Sequence, residues 1–222
     1  STIDFAGNVR VSIAPGPLIS IYQLKSRFQA MLRPTCNALV RAGVTANQVT
    51  LLAIALSFAT GGMIALHPER KWPLLVVPAT LFVRMALNAI DGMLAREFGQ
   101  ASKLGAILNE LADVISDAAL YLPFAVMAGL PAPLVIIAVL LGVIAEMTGV
   151  VAIQIGASRR YDGPFGKSDR AFFFGALAFL HAAGLSYGLW STGLFAIACA
   201  LGLVTIVNRA RMALKEAGSA DS

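Results

Sequence analysis

Apolar positions in this chain gather into six long runs joined by short polar links. A membrane-crossing helix needs about 20 mainly apolar residues. Six stretches qualify, some with polar interruptions: Asn47 to Leu66, Pro73 to Ala95, about Leu104 to Leu130, Pro133 to Ala157, about Ala171 to Leu189, and about Thr192 to Asn208. Pro131 and Pro133 mark the turn between the third and fourth. Ahead of them, Ile21, Leu24, Phe28 and Met31 are spaced 3, 4 and 3, a single helical stripe within Pro17 to Leu32. Lys25, Arg27 and Arg33 flank that stripe. The segment is too short and mixed to span, so it reads as an amphipathic helix in the membrane interface rather than a soluble terminal helix. The pattern predicts an all-α polytopic membrane protein. Residues 1–46 form a cytoplasmic segment with the interfacial helix, 47–211 a six-helix transmembrane domain, and 212–222 a cytoplasmic tail. No internal repeat is visible.

Composition agrees with this reading. Of 222 residues, 58% are hydrophobic and 13% charged, against about 25% charged in an ordinary soluble domain, and the mean hydropathy is +0.76. Such a chain has too few charges to cover a soluble surface, and it is too apolar for disorder. The net charge of +5 reflects topology rather than a nucleic-acid partner. With the N-terminus cytoplasmic, 14 of the 17 Lys and Arg fall on the inner side and only Arg70 and Lys71 on the outer, which predicts both termini inside. Cys36 and Cys199 have no metal-ligand spacing and imply no disulfide framework. Ser1 to Ala14 lacks the apolar run of a secretory signal.

Ionisable groups inside a span cost roughly 2.5–3.5 kcal/mol each on insertion scales and usually mark function. Here they concentrate in the second and third spans. Arg84, Asn88 and Asp91 share one helical face, and Gly105, Asn109, Asp113 and Asp117, spaced by four, share another. The short link from Arg96 to Lys103 makes these helices antiparallel neighbours whose polar faces meet near the cytoplasmic end. Clustered carboxylate and amide oxygens suit a hard cation such as Mg²⁺, Mn²⁺ or Ca²⁺. Gly92 and Gly105 beside them let a ligand approach the backbone.

These residues resemble the signature of the CDP-alcohol phosphatidyltransferase family, D-x2-D-G-x2-A-R-x8-G-x3-D-x3-D. The chain reads Asn88-x2-Asp91-Gly92-x2-Ala95-Arg96-x8-Gly105-x3-Asn109-x3-Asp113, with every spacing kept and six of eight identities. Both departures are Asp to Asn. The resemblance implies transfer of a phosphatidyl group from CDP-diacylglycerol to an alcohol acceptor with release of CMP, at the cytoplasmic face of a bacterial inner membrane. It implies a divalent metal cofactor, Mg²⁺ or Mn²⁺, held at positions 88, 91, 109 and 113, with Asp113 also the general base. It implies a nucleotide site at Asn47, Thr50, Asn88, Asp91, Gly92, Ala95, Arg96 and Gly105, and a homodimer.

Asparagine keeps a ligating oxygen but loses the charge. Four carboxylates therefore become two, and one tight ion, or a weak second, is expected. Asp117, on the Asp113 face, is the better candidate to compensate. Glu110 points about 100° away from Asn109. The alternative is a nucleotide-binding protein of the same fold without activity. A transporter is a further alternative, but repeats or broken helices would be expected of it. In members with phosphorylated acceptors, basic residues after the fourth span and at the end of the sixth bind the phosphate, so the resemblance points to Lys167, Arg170 and Arg209 as acceptor ligands. Glu146, alone in the fourth span, is positioned to pair with Arg84 or to contact a hydroxyl.

Overall fold

The computed structural model describes residues 21–220. Ser1 to Ala14 and the expected start of the interfacial helix, from Pro17 to Ser20, lie outside the described residues, as do the side chains of Ile21, Leu24 and Lys25. Among the described residues every element is helical: α1 (Ile21–Arg41), α2 (Ala46–Leu66), α3 (Trp72–Glu97), α4 (Lys103–Tyr121), α5 (Ala132–Val151), α6 (Lys167–Ala182) and α7 (Leu189–Ala220). Short 3₁₀ turns at Leu122–Val126 and Ala152–Ile155 follow α4 and α5.

Four of these, α2, α3, α5 with its 3₁₀ extension, and α7, are long and apolar enough to cross a membrane, which makes the chain an integral membrane protein. The other two expected spans fall short of that measure. α4 stops at Tyr121 rather than near Leu130, because Pro123 has no N–H to continue the helical ladder, and it carries Lys103, Glu110, Asp113 and Asp117. α6 has only 16 residues. α7 begins earlier than expected and runs through most of the segment expected to be a tail. α1 continues past Leu32 to Arg41 through Pro34. Phe28 meets Phe82 of α3 edge to face at 6.4 Å, while Met31 is exposed.

Packing order explains where the site lies. α2 packs along both α3 and α4, which themselves barely touch. The second and third spans are thus antiparallel but are not the close neighbours that their short link predicts. The reason is visible at Gly61 of α2, where a Cβ would come within 2.0 Å of the Ala119 carbonyl oxygen. Only glycine permits α2 to seat so deeply against α4, and a Thr60–Thr80 hydroxyl hydrogen bond at 2.7 Å ties α2 to α3. On the other side α4 packs on α5, α5 on α7, and α6 on α3. One apolar core, with Leu74, Val77, Tyr121, Phe124, Phe174 and Phe195, fills the end away from the motif. A second, with Cys36, Val49, Ile90, Met93 and Leu94, fixes α1 against α2 and α3 at the motif end.

Candidate active site

The wedge of α2 between α3 and α4 leaves a cavity of about 260 Å³. Its walls hold Asn47, Thr50, Asn88, Asp91, Gly92, Ala95, Arg96, Gly105 and Asn109, with Ala46, Gln100 and Ser102 completing the rim. All eight residues expected at a nucleotide are therefore brought together. Local chemistry fixes the rim. Thr45 caps α2 in a reciprocal pair with Gln48, Ser102 caps α4 through the Gly105 N–H at 2.9 Å, and the Ala46 N–H donates to Gln100 Oε1 at 2.7 Å. The α3–α4 link is thereby tied to the start of α2. Gln100 and Ser102 carry no motif and could be found only from their places next to helix ends.

Asp91 is buried at 6% exposure and accepts a hydrogen bond from Thr50 Oγ1 at 2.9 Å. Thr50 Oγ1 also lies 3.1 Å from the Ala46 carbonyl, so its single proton is shared between the two acceptors and the hydroxyl's position is set by both. Both glycines face the cavity. A Cβ on Gly105 would meet Asn47 Oδ1 at 2.8 Å, and one on Gly92 would meet Arg96 Nη2 at 2.7 Å. Arg96 has no carboxylate partner among the described residues, and the amides of Asn88 and Asn109 make no side-chain hydrogen bond there.

Asp113 stands on the far side of this gap. It lines a second cavity, of about 310 Å³, with Glu146, Arg159, Tyr161, Lys167, Asp169 and Arg209. Its carboxylate accepts from Lys167 Nζ. Among the described residues no three His, Cys, Asp or Glu side chains cluster as a metal site. Asp91, Asn88 and Asn109 line the first cavity and Asp113 the second; their carboxylate and amide oxygens are of the kind hard divalent cations accept. The donor set fits such an ion with half the family's charge.

Between the cavities lies a buried ion network. Asp117 accepts from Arg84 Nη2 at 2.9 Å and from Arg170 Nη2 at 3.0 Å. Glu146 accepts from Arg170 at 3.1 Å, Arg209 at 3.3 Å and Arg159 at 3.5 Å. Asp117 is thus saturated by two guanidinium groups and does not replace a missing metal carboxylate, as its helical face had suggested. Glu146 pairs with three arginines and not with Arg84, because α6 inserts Arg170 between them. Arg170 lies in this network outside the second cavity, whereas Lys167 and Arg209 line that cavity. Arg209 is 1% exposed and also donates to the Ala145 carbonyl at 2.5 Å. Glu110, turned away from Asn109, binds Arg159 at 2.6 Å. Arg159, which sequence reasoning did not single out, stacks over Tyr161 at 4.2 Å. In the adjoining loop, Arg160 hydrogen-bonds Asp162 at 2.7 and 2.9 Å and holds that carboxyl below its ordinary range.

A third opening, of about 370 Å³, runs between α3 and α6. It carries Asn88 and Lys167 at its polar end and Phe82, Met85 and Phe172 at its exposed apolar end.

Comparison with known proteins adds the following. The family model for CDP-alcohol phosphatidyltransferase matches residues 43–207. Inner membrane protein YnbA of Escherichia coli (strain K12) is 47% identical over 198 residues, 88% of this chain and 97% of that protein. Phosphatidylinositol phosphate synthase of Streptomyces avermitilis is 36% identical over 100 residues, 44% of this chain and 38% of that protein. Crystal structures of the Mycobacterium tuberculosis phosphatidylinositol phosphate synthase share the fold. The manganese and citrate complex has a TM-score of 0.68 at 21% identity, covering 82% of this chain and 88% of that one. The form with CDP-DAG bound has a TM-score of 0.65 at 19% identity, covering 83% and 92%.

Proposed function

This chain belongs to the CDP-alcohol phosphatidyltransferase family, and on that premise we propose that it transfers a phosphatidyl group from CDP-diacylglycerol to an alcohol and releases CMP. The observation that carries this reading is the first cavity. Asp91, Arg96, two glycines without side chains and two unengaged asparagine amides converge on one open space between α2, α3 and α4. The nucleotide and its pyrophosphate occupy that space. Arg96 faces the phosphates, and the missing side chains at 92 and 105 leave room for the Arg96 guanidinium and the Asn47 amide at the cavity wall. Asp91, Asp113, Asn88 and Asn109 hold the divalent ion, Mg²⁺ or Mn²⁺, which when bound stabilises negative charge on the phosphates. The manganese in one M. tuberculosis structure and the CDP-DAG in another support these assignments.

The acceptor enters the second cavity, where Lys167 and Arg209 serve as hydrogen-bond donors. Asp113, on the wall of the second cavity, takes the proton from the acceptor hydroxyl. The acceptor oxygen forms a new bond to the lipid-linked phosphorus, the bond from that phosphorus to the CMP oxygen breaks, and CMP leaves. Lys167 holds the Asp113 carboxylate in place until acceptor and metal arrive. The groove between α3 and α6 begins at Asn88 and opens through Phe82 and Phe172 toward lipid, so it receives the donor's acyl chains.

In the bilayer, α4 and α6 complete a set of six spans, with Asp117 and Arg170 turned inward. Residues 47–211 form the catalytic domain and the bundle works as a homodimer. Both termini are cytoplasmic, in a bacterial inner membrane, as the Lys and Arg distribution and the name of the E. coli relative support. Asn88 and Asn109 favour one competing reading, a nucleotide-binding protein without turnover. Detergent-purified protein with CDP-diacylglycerol and Mn²⁺, screened against a panel of alcohols, separates the two. Acceptor-dependent CMP release is expected, and CDP binding without release under every condition would leave the inactive reading.

A further inference from the structure

Resting on the transferase reading, we infer that the acceptor is a small alcohol without net charge, not a phosphorylated one. The second cavity is lined by three carboxylates, Asp113, Glu146 and Asp169, and three cations, Arg159, Lys167 and Arg209. The charge of each cation is already paired, and of their buried donors only Arg159 Nε has no hydrogen-bond partner among the described residues. Lys167 is on Asp113, Arg159 on Glu110 at 2.6 Å and on Glu146 at 3.5 Å, and Arg209 on Glu146 at 3.3 Å and on two backbone carbonyls. Arg170, next in the network, divides its charge between Asp117 and Glu146. A phosphate site needs donors whose charge is not already spent on a carboxylate. A phosphate monoester entering here would have to take Arg159 or Arg209 from Glu146, which is 5% exposed, or sit against that carboxylate and Asp169. When Asp113 engages metal, Lys167 alone is released, and two carboxylates still face it.

Hydroxyl groups meet no such conflict. A hydroxyl accepts from a guanidinium or ammonium and donates to a carboxylate, so it bridges an ion pair without separating its charges. Tyr161 and Ser168 at the same cavity extend the set of neutral partners. The contrast with the first cavity is internal to the molecule: there Arg96 has no carboxylate partner and faces the space reserved for phosphates.

The test uses the full chain in detergent or nanodiscs with CDP-diacylglycerol and Mn²⁺, comparing matched acceptors: glycerol with glycerol 3-phosphate, and inositol with inositol 1-phosphate. The neutral member of at least one pair is expected to give a kcat/KM about tenfold or more above its phosphorylated partner. Equal or better use of the phosphorylated members would overturn the inference. A binding arm stands apart from turnover. With CDP and Mn²⁺ present, calorimetric titration should show no saturable site for glycerol 3-phosphate at millimolar concentration. Asp169→Asn, which keeps an oxygen to cap α6 but removes one negative charge, should improve binding of that same probe. Saturable binding by the wild type, weakened by Lys167→Met, would contradict the inference even where no CMP is released, so its failure is distinct from failure of the transferase reading.

Discussion

The first cavity is lined by amides and hydroxyls with one aspartate and one arginine, whereas the second, where Asp113 lies, is lined by three carboxylates and three cations. On the α2–α3–α4 side, Arg96 and the amides of Asn88 and Asn109 are left without side-chain partners, and Gly92 and Gly105 leave room for the Arg96 guanidinium and the Asn47 amide. At the α5–α6–α7 side, Arg159, Arg170 and Arg209 each pair with a carboxylate, and Glu146, Arg170 and Arg209 are nearly inaccessible, while Arg159 Nε and Arg170 Nη1 keep no hydrogen-bond partner among the described residues. In a bilayer, unmatched polar groups persist only where a ligand or water answers them. The first cavity leaves its one arginine, Arg96, unpaired, and the second pairs its cations with protein carboxylates. Polar content alone does not separate the two sides; what differs is whether the cations at each cavity are paired with carboxylates.

Breaking the open side should have the largest effect. Asp91→Ala removes the buried carboxylate that Thr50 orients, and CMP release should fall on the order of a hundredfold or more while thermal stability in detergent changes little. Steady-state assay beside a melting curve checks both halves. The closed side should give the converse result. Glu146→Ala leaves Arg159, Arg170 and Arg209 without their shared counterion, and breaking a buried pair in this way costs about 3–5 kcal/mol. A large drop in melting temperature is expected, with Glu146→Gln milder because it retains the shape and two hydrogen-bonding groups.

Restoring charge to the open side sharpens the contrast further. Asn88→Asp with Asn109→Asp gives the cavity two more charged ligands. Mn²⁺ affinity in the presence of CDP, read by titration, should tighten about tenfold; unchanged affinity would mean that these positions do not face the ion. The smallest effect is expected at the loop after α5. Arg160 depresses the Asp162 carboxyl below its ordinary range, so the folded loop releases that proton more readily than the unfolded chain. Its contribution is complete at neutral pH and fades as pH falls through the depressed value. Asp162 is partly exposed, so protection factors against hydrogen exchange in residues 158–166 should fall at acid pH without global unfolding.

Much of the open side was legible because spacing survives projection onto a helix. Asn88 to Asp113 carry a pattern in which each residue type and interval has a chemical purpose, and Asn47 and Thr50 lie at the start of the helix that packs beside it. Helix adjacency was less legible. A short link between α3 and α4 implies contact, but Gly61 lets α2 wedge them apart, and the wedge creates the cavity. Pairing inside the closed side was not legible at all. Arg84, Asp117, Glu146 and Arg170 stood out as charges in spans, yet which carboxylate meets which guanidinium depends on how α6 inserts between α3 and α5. Sequence distance carries no information on that.

The most direct test is the structure of the protein with CDP-diacylglycerol and Mn²⁺ bound. The expected result is the pyrophosphate beside Arg96 in the cavity between α2, α3 and α4, with manganese contacting Asp91 and Asp113 and the acyl chains along the α3–α6 groove. A nucleotide lodged among Arg159, Lys167 and Arg209 instead, or manganese bound away from Asp91, would contradict the assignment of the open side as the donor site.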